Sequence, residues 1–221
     1  MATPTQVFGV PASYSRALGR RAFAAETGLA LVVVGALLLA LSTPSARVVG
    51  VAIALAAGVG ARHVHGRRAR LRAGTRSEER VARALAGLGY TVLLNGYHLG
   101  AGGDCDHVVA GPILAAVETK SGRGRVERRG TTITHGGRPF PRDPVTQARR
   151  QATALHRLAG TRASAIVCVV DMANAPVHVD DVTVCSLDDL PRVLATCPPA
   201  CPPEHAVRLA EDLRRAARGA S

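Results

Sequence analysis

Two uncharged apolar runs dominate the first third of the chain, Thr27 to Ser42 and Val48 to Ala61. Only Thr43-Pro44-Ser45-Ala46-Arg47 separates them, so the pair reads as a tight helical hairpin. Each run falls short of the roughly 20 residues that a membrane span prefers, and Ala22 to Ala25 and the flanks extend them. After Gly74 the pattern becomes amphipathic, with Val81, Leu85 and Leu88 on one helix face. Strand-like runs follow at Tyr90 to Leu94, Asp106 to Val109 and Ile113 to Lys120, punctuated by Asn95-Gly96 and by the glycines from Gly100 to Gly103. Asp143 to Leu158 is the next helix, with Asp143 as cap, Pro144 in the first turn, and Gln147, Gln151 and Ala154 on a shared stripe. Ala165 to Val170 is continuously apolar, the pattern of a strand covered on both faces. His178 to Cys185 reads as a further strand, Leu187 to Ala195 as a short helix, and Glu204 to Arg218 as an amphipathic helix. The order helix, three strands, helix, strand implies an α/β core with a mixed central sheet.

The strand pair around Gly111-Pro112 carries charge where a buried strand does not ordinarily tolerate it. A loop of Gly111, Pro112 and Ile113 sets Asp106 directly opposite Glu118, and opposite residues share a face. Lys120 lies on that face too. A slip of one residue in the register would separate Asp106 from the pair. Two carboxylates and an ammonium suit a hard divalent cation and a water. Lys120 is also the only lysine among 28 basic residues. A chain that otherwise uses arginine has kept a compact, pKa-tunable cation where it differs most from a planar guanidinium. The plain alternative is a salt bridge at a solvated strand end. His107 should point to the opposite face and is read as structural. Asp104 is read first as a turn residue and second as an additional ligand.

Four segments in order carry a family resemblance: Gly74-Thr75-Arg76-Ser77-Glu78, Asp104-Cys105-Asp106-His107-Val108-Val109, Glu118-Thr119-Lys120-Ser121-Gly122 and Asp143-Pro144-Val145-Thr146-Gln147-Ala148. Over roughly Gly74 to Asp189 the chain resembles the nuclease-related domain (NERD) family, a branch of the PD-(D/E)xK nuclease superfamily. The family usually has valine where Thr119 stands, and threonine is also a good strand former. The resemblance implies a restriction-endonuclease-like core with a mixed central sheet flanked by helices, and hydrolysis of DNA or RNA with Mg²⁺ or Mn²⁺. It implies Asp106 and Glu118 as metal ligands and Lys120 as the group assisting the nucleophile. Glu78 would partner the metal or water, and Gln147 would orient a water or phosphate. Capping is the alternative for Glu78, because with Glu79 it occupies the first turn of the helix expected after Gly74.

Charge widens the choice of partners. Twenty-eight Lys plus Arg against 16 Asp plus Glu give a net charge of +12 and a pI near 11.0, which suits nucleic-acid phosphate and anionic membrane lipids. Three Phe, three Tyr and no Trp argue against a base-stacking platform. Arg123 and Arg125, in an arginine-rich loop after Lys120, and Arg149 and Arg150, on the following helix, are the candidate phosphate contacts. A solvated charged loop accounts equally well for the first two. The glycine cluster matches no phosphate-loop spacing, and no organic cofactor is expected. Cys168 and Cys185 read as small buried hydrophobes. Cys197 and Cys201 lack a second pair at zinc spacing, and the cysteine usage fits a reducing compartment.

Arginines decide the reading of the hairpin. Arg16, Arg20 and Arg21 precede it, Arg62, Arg67, Arg68, Arg70 and Arg72 follow it, and only Arg47 lies between the runs. Positive residues stay on the cytoplasmic side, so the expectation is a two-span cell-membrane protein with both termini cytoplasmic. A signal peptide would begin its apolar region earlier, and a buried soluble hairpin is the remaining competitor. The expected partition is a disordered basic N-terminus over 1–21, a transmembrane hairpin over 22–61, a basic juxtamembrane linker over 62–73, the nuclease-related domain over 74–196, and a Pro/Cys linker with an amphipathic helix over 197–221. The linker would touch anionic headgroups. The expected function is a membrane-anchored, metal-dependent nuclease. A catalytically silent, membrane-tethered nucleic-acid-binding or scaffold module with the same fold is the alternative.

Overall fold

The computed structural model describes the chain except residues 1–4, 10, 12, 43, 90–91, 201–207, 210, 214 and 216–221. It divides into two units, Ser13–Thr75 and Met1–Ala12 with Arg76–Ser221. In the order of the chain, strand β1 is Gln6–Phe8, helix α1 is Ser13–Ser42, and helix α2 is Pro44–Ala86.

The first unit is the helical hairpin. At 30 and 43 residues, α1 and α2 are long and apolar enough to cross a membrane. Only 6% and 11% of their apolar windows are buried, which is unlike the core helix of a soluble protein. Leu31, Leu38, Leu41, Val48, Leu55 and Val59 are exposed. The helices meet through small residues: a Cβ on Gly50 would lie 2.5 Å from the Ala36 carbonyl oxygen and 2.7 Å from the Ala40 Cβ. Farther from the turn, Glu26 receives Arg68 Nη1 at 2.7 Å and contacts His65 Nδ1 at 2.9 Å, while Arg68 lies 4.4 Å above the Phe23 ring.

Two expectations need correction here. The basic linker over 62–73 is not a separate connection, because α2 runs through it without a break. Alanine, arginine and leucine are strong helix formers, and Gly66 within the stretch, at about 1 kcal/mol, does not outweigh them. The tail over 1–21 is not disordered in its described part. β1 forms in it, α1 begins at Ser13, and Phe8 packs on the core of the second unit.

The second unit is a three-layer α/β fold. Its remaining strands are β2 (Val92–His98), β3 (Asp104–Ala110), β4 (Leu114–Gly124), β5 (Val126–Arg129), β6 (Thr132–His135), β7 (Arg138–Pro139), β8 (Ser164–Met172), β9 (Val177–Val179) and β10 (Val182–Cys185). Helix α3 is Pro144–Ala159 and α4 is Leu190–Ala195. The main sheet is mixed, in the order β1-β2-β3-β4-β8-β10-β9, and β5-β6-β7 form a small second sheet. β8 shows why its run is continuously apolar. Val167 and Val169 join the core under α3, while Ile166, Cys168 and Val170 join the core under α4 and the end of α2.

Local chemistry explains most boundaries. The Asp143 side chain accepts the Val145 N–H at 3.1 Å and caps α3, and Gly160 closes that helix at φ 65°. Asn95-Gly96 is not a turn: β2 continues through it, absorbing Gly96 at φ 61°. The expected strand over His178 to Cys185 is two strands, broken at Asp180 (φ 55°) and Asp181. The arginine-rich segment after Lys120 is not a loop but the end of β4 and the strand β5. Cys168 and Cys185 are buried as expected, in register on adjacent strands. Tyr90, Thr91 and Cys201 lie outside the described residues. So does much of the expected C-terminal helix, but Leu213 is buried in the core and its carbonyl receives the Tyr97 hydroxyl.

Candidate active site

β3 and β4 pair from Ala110↔Leu114 to His107↔Val117, the register that the three-residue loop predicts. One step further along the same register, Asp106 faces Glu118. There Asp106 Oδ2 accepts the Thr119 N–H at 2.7 Å. Glu118 is 1% exposed. Its Oε1 meets Lys120 Nζ, and its Oε2 accepts from Gln151 Nε2 at 2.8 Å. Lys120 also reaches Gln147 Oε1 at 3.4 Å. Immediately after Lys120 the β4–β8 register shifts by one residue, a bulge of the kind that re-aims side chains at strand ends. Asp106, Glu118, Lys120 and Gln147 therefore converge. Glu78, on α2 in line with the buried Val81 and Leu85, is half-buried and near enough to Asp106 to act on its charge.

Electrostatics mark the cluster as strained. Burial, then Glu118, then Glu78 push the Asp106 carboxyl well above the usual carboxylate range. Burial and the same two β-strand acids raise the Cys105 thiol. His107 behaves as the alternation of the strand requires. It is fully buried, hydrogen-bonds Asn95 Oδ1 through Nδ1 at 2.7 Å, and burial lowers it to about 3. Among the described residues, buried side-chain polar atoms without a partner include His107 Nε2, Asn95 Nδ2, Thr119 Oγ1 and Gln151 Oε1. His107 and Thr119 are chain neighbours of the acids, Gln151 bonds Glu118 and Asn95 bonds His107; such orphans are uncommon in folded proteins.

Residues 73–179 match the family model of the nuclease-related domain. The chain carries a domain of this family. No curated protein and no solved structure matches it. The PD-(D/E)xK superfamily is the general placement expected of a nuclease-related domain.

Around the cluster, the nuclease-related domain sorts its arginines by what already holds them. Arg149, a candidate phosphate contact, has its guanidinium held by Asp181 at 2.7 Å and Asp180 at 3.3 Å. Asp181 raises it further. Arg128 binds the same Asp180. Arg123, Arg125 and Arg150 are exposed and make no ion pair among the described residues. Arg150 lines a groove of about 580 Å³ with Gln147, Asp104, Thr146 and Arg142. Arg142 and Gln151 are the residues that the sequence reading did not assign to the site. Arg142 directly precedes the α3 cap, which was a usable signal, whereas Gln151 was visible only as a member of the helix stripe.

Asp104, read first as a turn residue, instead opens β3 and pairs with His98 across the strands at 2.7 Å. Among the described residues no three His, Cys, Asp or Glu side chains converge as a ready-made metal cage. Asp106 and Glu118 nonetheless fit a small hard cation that keeps several waters. Burial raises Asp106 most, and the charges of Glu118 and Glu78 add to it; a divalent ion would relieve that added charge.

Proposed function

We propose that this chain is a membrane-anchored, divalent-metal-dependent nuclease. The observation that carries the reading is the single lysine of the chain seated against buried Glu118, two residues along β4 from the position facing Asp106, with Gln147 also in reach. Asp106 and Glu118 would hold Mg²⁺ or Mn²⁺, and when bound the ion supplies charge neutralisation at the phosphate and a more acidic water. Lys120 has three N–H donors on one ammonium, so it can hold an attacking water and a phosphate oxygen while keeping one bond to Gln147. Gln147 fixes the direction of that ammonium. Glu78, whose charge reaches Asp106, would accept a proton from the water. Arg123, Arg125 and Arg150 would contact the phosphate backbone, without reading sequence.

Anchoring places this chemistry at the cytoplasmic face of the cell membrane, with anionic lipids around the basic part of α2. Two observations support that placement. The arginine asymmetry favours both hairpin ends inside. In addition, β1 precedes the hairpin in the chain yet pairs with β2, which follows it, so a spanning hairpin must return the chain to the side on which it began.

The test is cleavage of DNA and of RNA by the full chain in detergent with Mg²⁺ or Mn²⁺, alongside Lys120→Ala and Asp106→Ala. Loss of cleavage in both variants is expected, and cleavage that survives both would remove the site assignment. One observation favours the silent-module alternative: both oxygens of Glu118 are engaged by Lys120 and Gln151. Salt-sensitive DNA binding without any Mg²⁺ or Mn²⁺ binding would decide for it.

A further inference from the structure

The hairpin loses its strand ladder just before it reaches the acids. β3 and β4 are paired only up to His107↔Val117, and β2 and β3 pass from Asn95↔His107 to Tyr97↔Cys105, skipping Asp106 opposite Gly96. Side chains take over across the gap. One link is the Thr119 N–H on Asp106. The other comes from α3, where Gln151 Nε2 donates to Glu118 Oε2 at 2.8 Å and to the Asp104 carbonyl at 2.7 Å. A primary amide has two N–H donors, so one goes to each strand of the hairpin. The reverse orientation of the amide would set its oxygen against two other oxygens.

We infer that Gln151 is the positioning residue of the acid pair: it fixes Glu118 through Oε2 and ties that strand to β3, which leaves Oε1, the oxygen that meets Lys120, as the one a divalent cation would share. The inference rests on the metal-dependent reading above. Gln147, one helical turn earlier, acts on Lys120 instead, so the two glutamines divide the carboxylate and the ammonium between them. Core filling alone does not account for Gln151. It is fully buried, yet its Oε1 has no partner, and an orphaned buried acceptor is destabilising where an apolar side chain of the same shape is not.

The test is Mn²⁺ titration of the full chain in detergent by calorimetry, for the wild type, Gln151→Met and Gln151→Asn. Met keeps the volume without the donors, and Asn keeps the amide but draws it back by one carbon. Both should bind Mn²⁺ about 10- to 100-fold more weakly than the wild type, the usual loss when a residue orienting a ligand is removed. A role in packing alone would lower the unfolding midpoint and leave the affinity of the folded protein unchanged. Wild-type binding with affinity kept within twofold in either folded variant overturns the inference and spares the metal reading. Absence of Mn²⁺ binding by the wild type overturns both.

Discussion

His107 sits beside Asp106 but on the other face of the sheet, and it should make the domain acid-labile. Its Nδ1–H donates to Asn95 Oδ1, so a second proton must go to Nε2, which is buried without a partner. Burial therefore lowers the imidazole from 6.5 to about 3. A lowered histidine binds its proton more readily in the unfolded chain, so its contribution to stability is complete above pH 6.5 and is lost as pH falls towards 3. At roughly 1.4 kcal/mol per pH unit, the whole window is worth at most about 5 kcal/mol, and by pH 5 about 2 kcal/mol should be gone. Asp106 works in the opposite sense. Its raised carboxyl takes up a proton in the folded state first, so the strain it imposes is relieved as pH falls through its folded value. The histidine limb should accordingly be steepest in an Asp106→Asn background. The unfolding midpoint in urea can be read by pulsed labelling of the buried thiols of Cys105, Cys168 and Cys185. The comparison is His107→Phe combined with Asn95→Leu, which removes both partners and leaves no orphan. The midpoint should fall between pH 7 and 5 with His107 present and stay nearly level without it; equal slopes would refute the argument.

Three further outcomes follow from the geometry. Arg142→Ala and Arg150→Ala should each flatten the dependence of log K on log salt for DNA binding by about 0.7 to 0.9, whereas Arg149→Ala, already held by Asp180 and Asp181, should leave it unchanged; the reverse pattern in filter binding would reject the groove as the phosphate path. Gly50→Leu should part α1 from α2 and destabilise the hairpin by roughly 1–3 kcal/mol in detergent unfolding, while Gly58→Leu, where a Cβ meets nothing within 4 Å, should not. A cysteine replacing Ser45 should react with an impermeant maleimide in intact cells while Cys197 stays protected; reaction only after permeabilisation would overturn the orientation.

Patterns that depend on neighbours in the chain were legible, and those that depend on docking were not. The β3–β4 register follows from a loop three residues long; both faces of these strands are covered, so burial alone would not have fixed it. The α3 cap and its proline needed only local chemistry. β1 escaped because three residues give no period, and its pairing with β2 joins parts of the chain some 85 residues apart, as Gln6↔Val92 does. The continuity of α2 was masked by Gly66, Gly74 and the arginines, which look like a linker until helix propensity is summed over the whole segment.

The two glutamines of α3 and its adjacent arginines show where a sequence stops informing about a site. Residues 147 and 151 lie one turn apart on the same stripe, whereas 149 and 150, at 100° per residue, point to different surroundings. Which of them meets Glu118 depends on the rotation of α3 about its axis, and that rotation is set by Val145, Ala148, Ala152 and Leu155 entering the core. Once those four are buried, Gln151 is directed under the sheet to Glu118, Gln147 to the sheet end where Lys120 emerges, and Arg149 towards the β9–β10 turn with its two aspartates. The family resemblance supplied Gln147 because it follows the Asp-Pro cap at a fixed distance. It supplied nothing for Gln151, whose role arises only because the strand ladder ends at His107 and leaves Glu118 Oε2 and the Asp104 carbonyl facing the helix. A change that rotates α3, such as enlarging Ala148, should therefore disturb both glutamines together, although neither is altered.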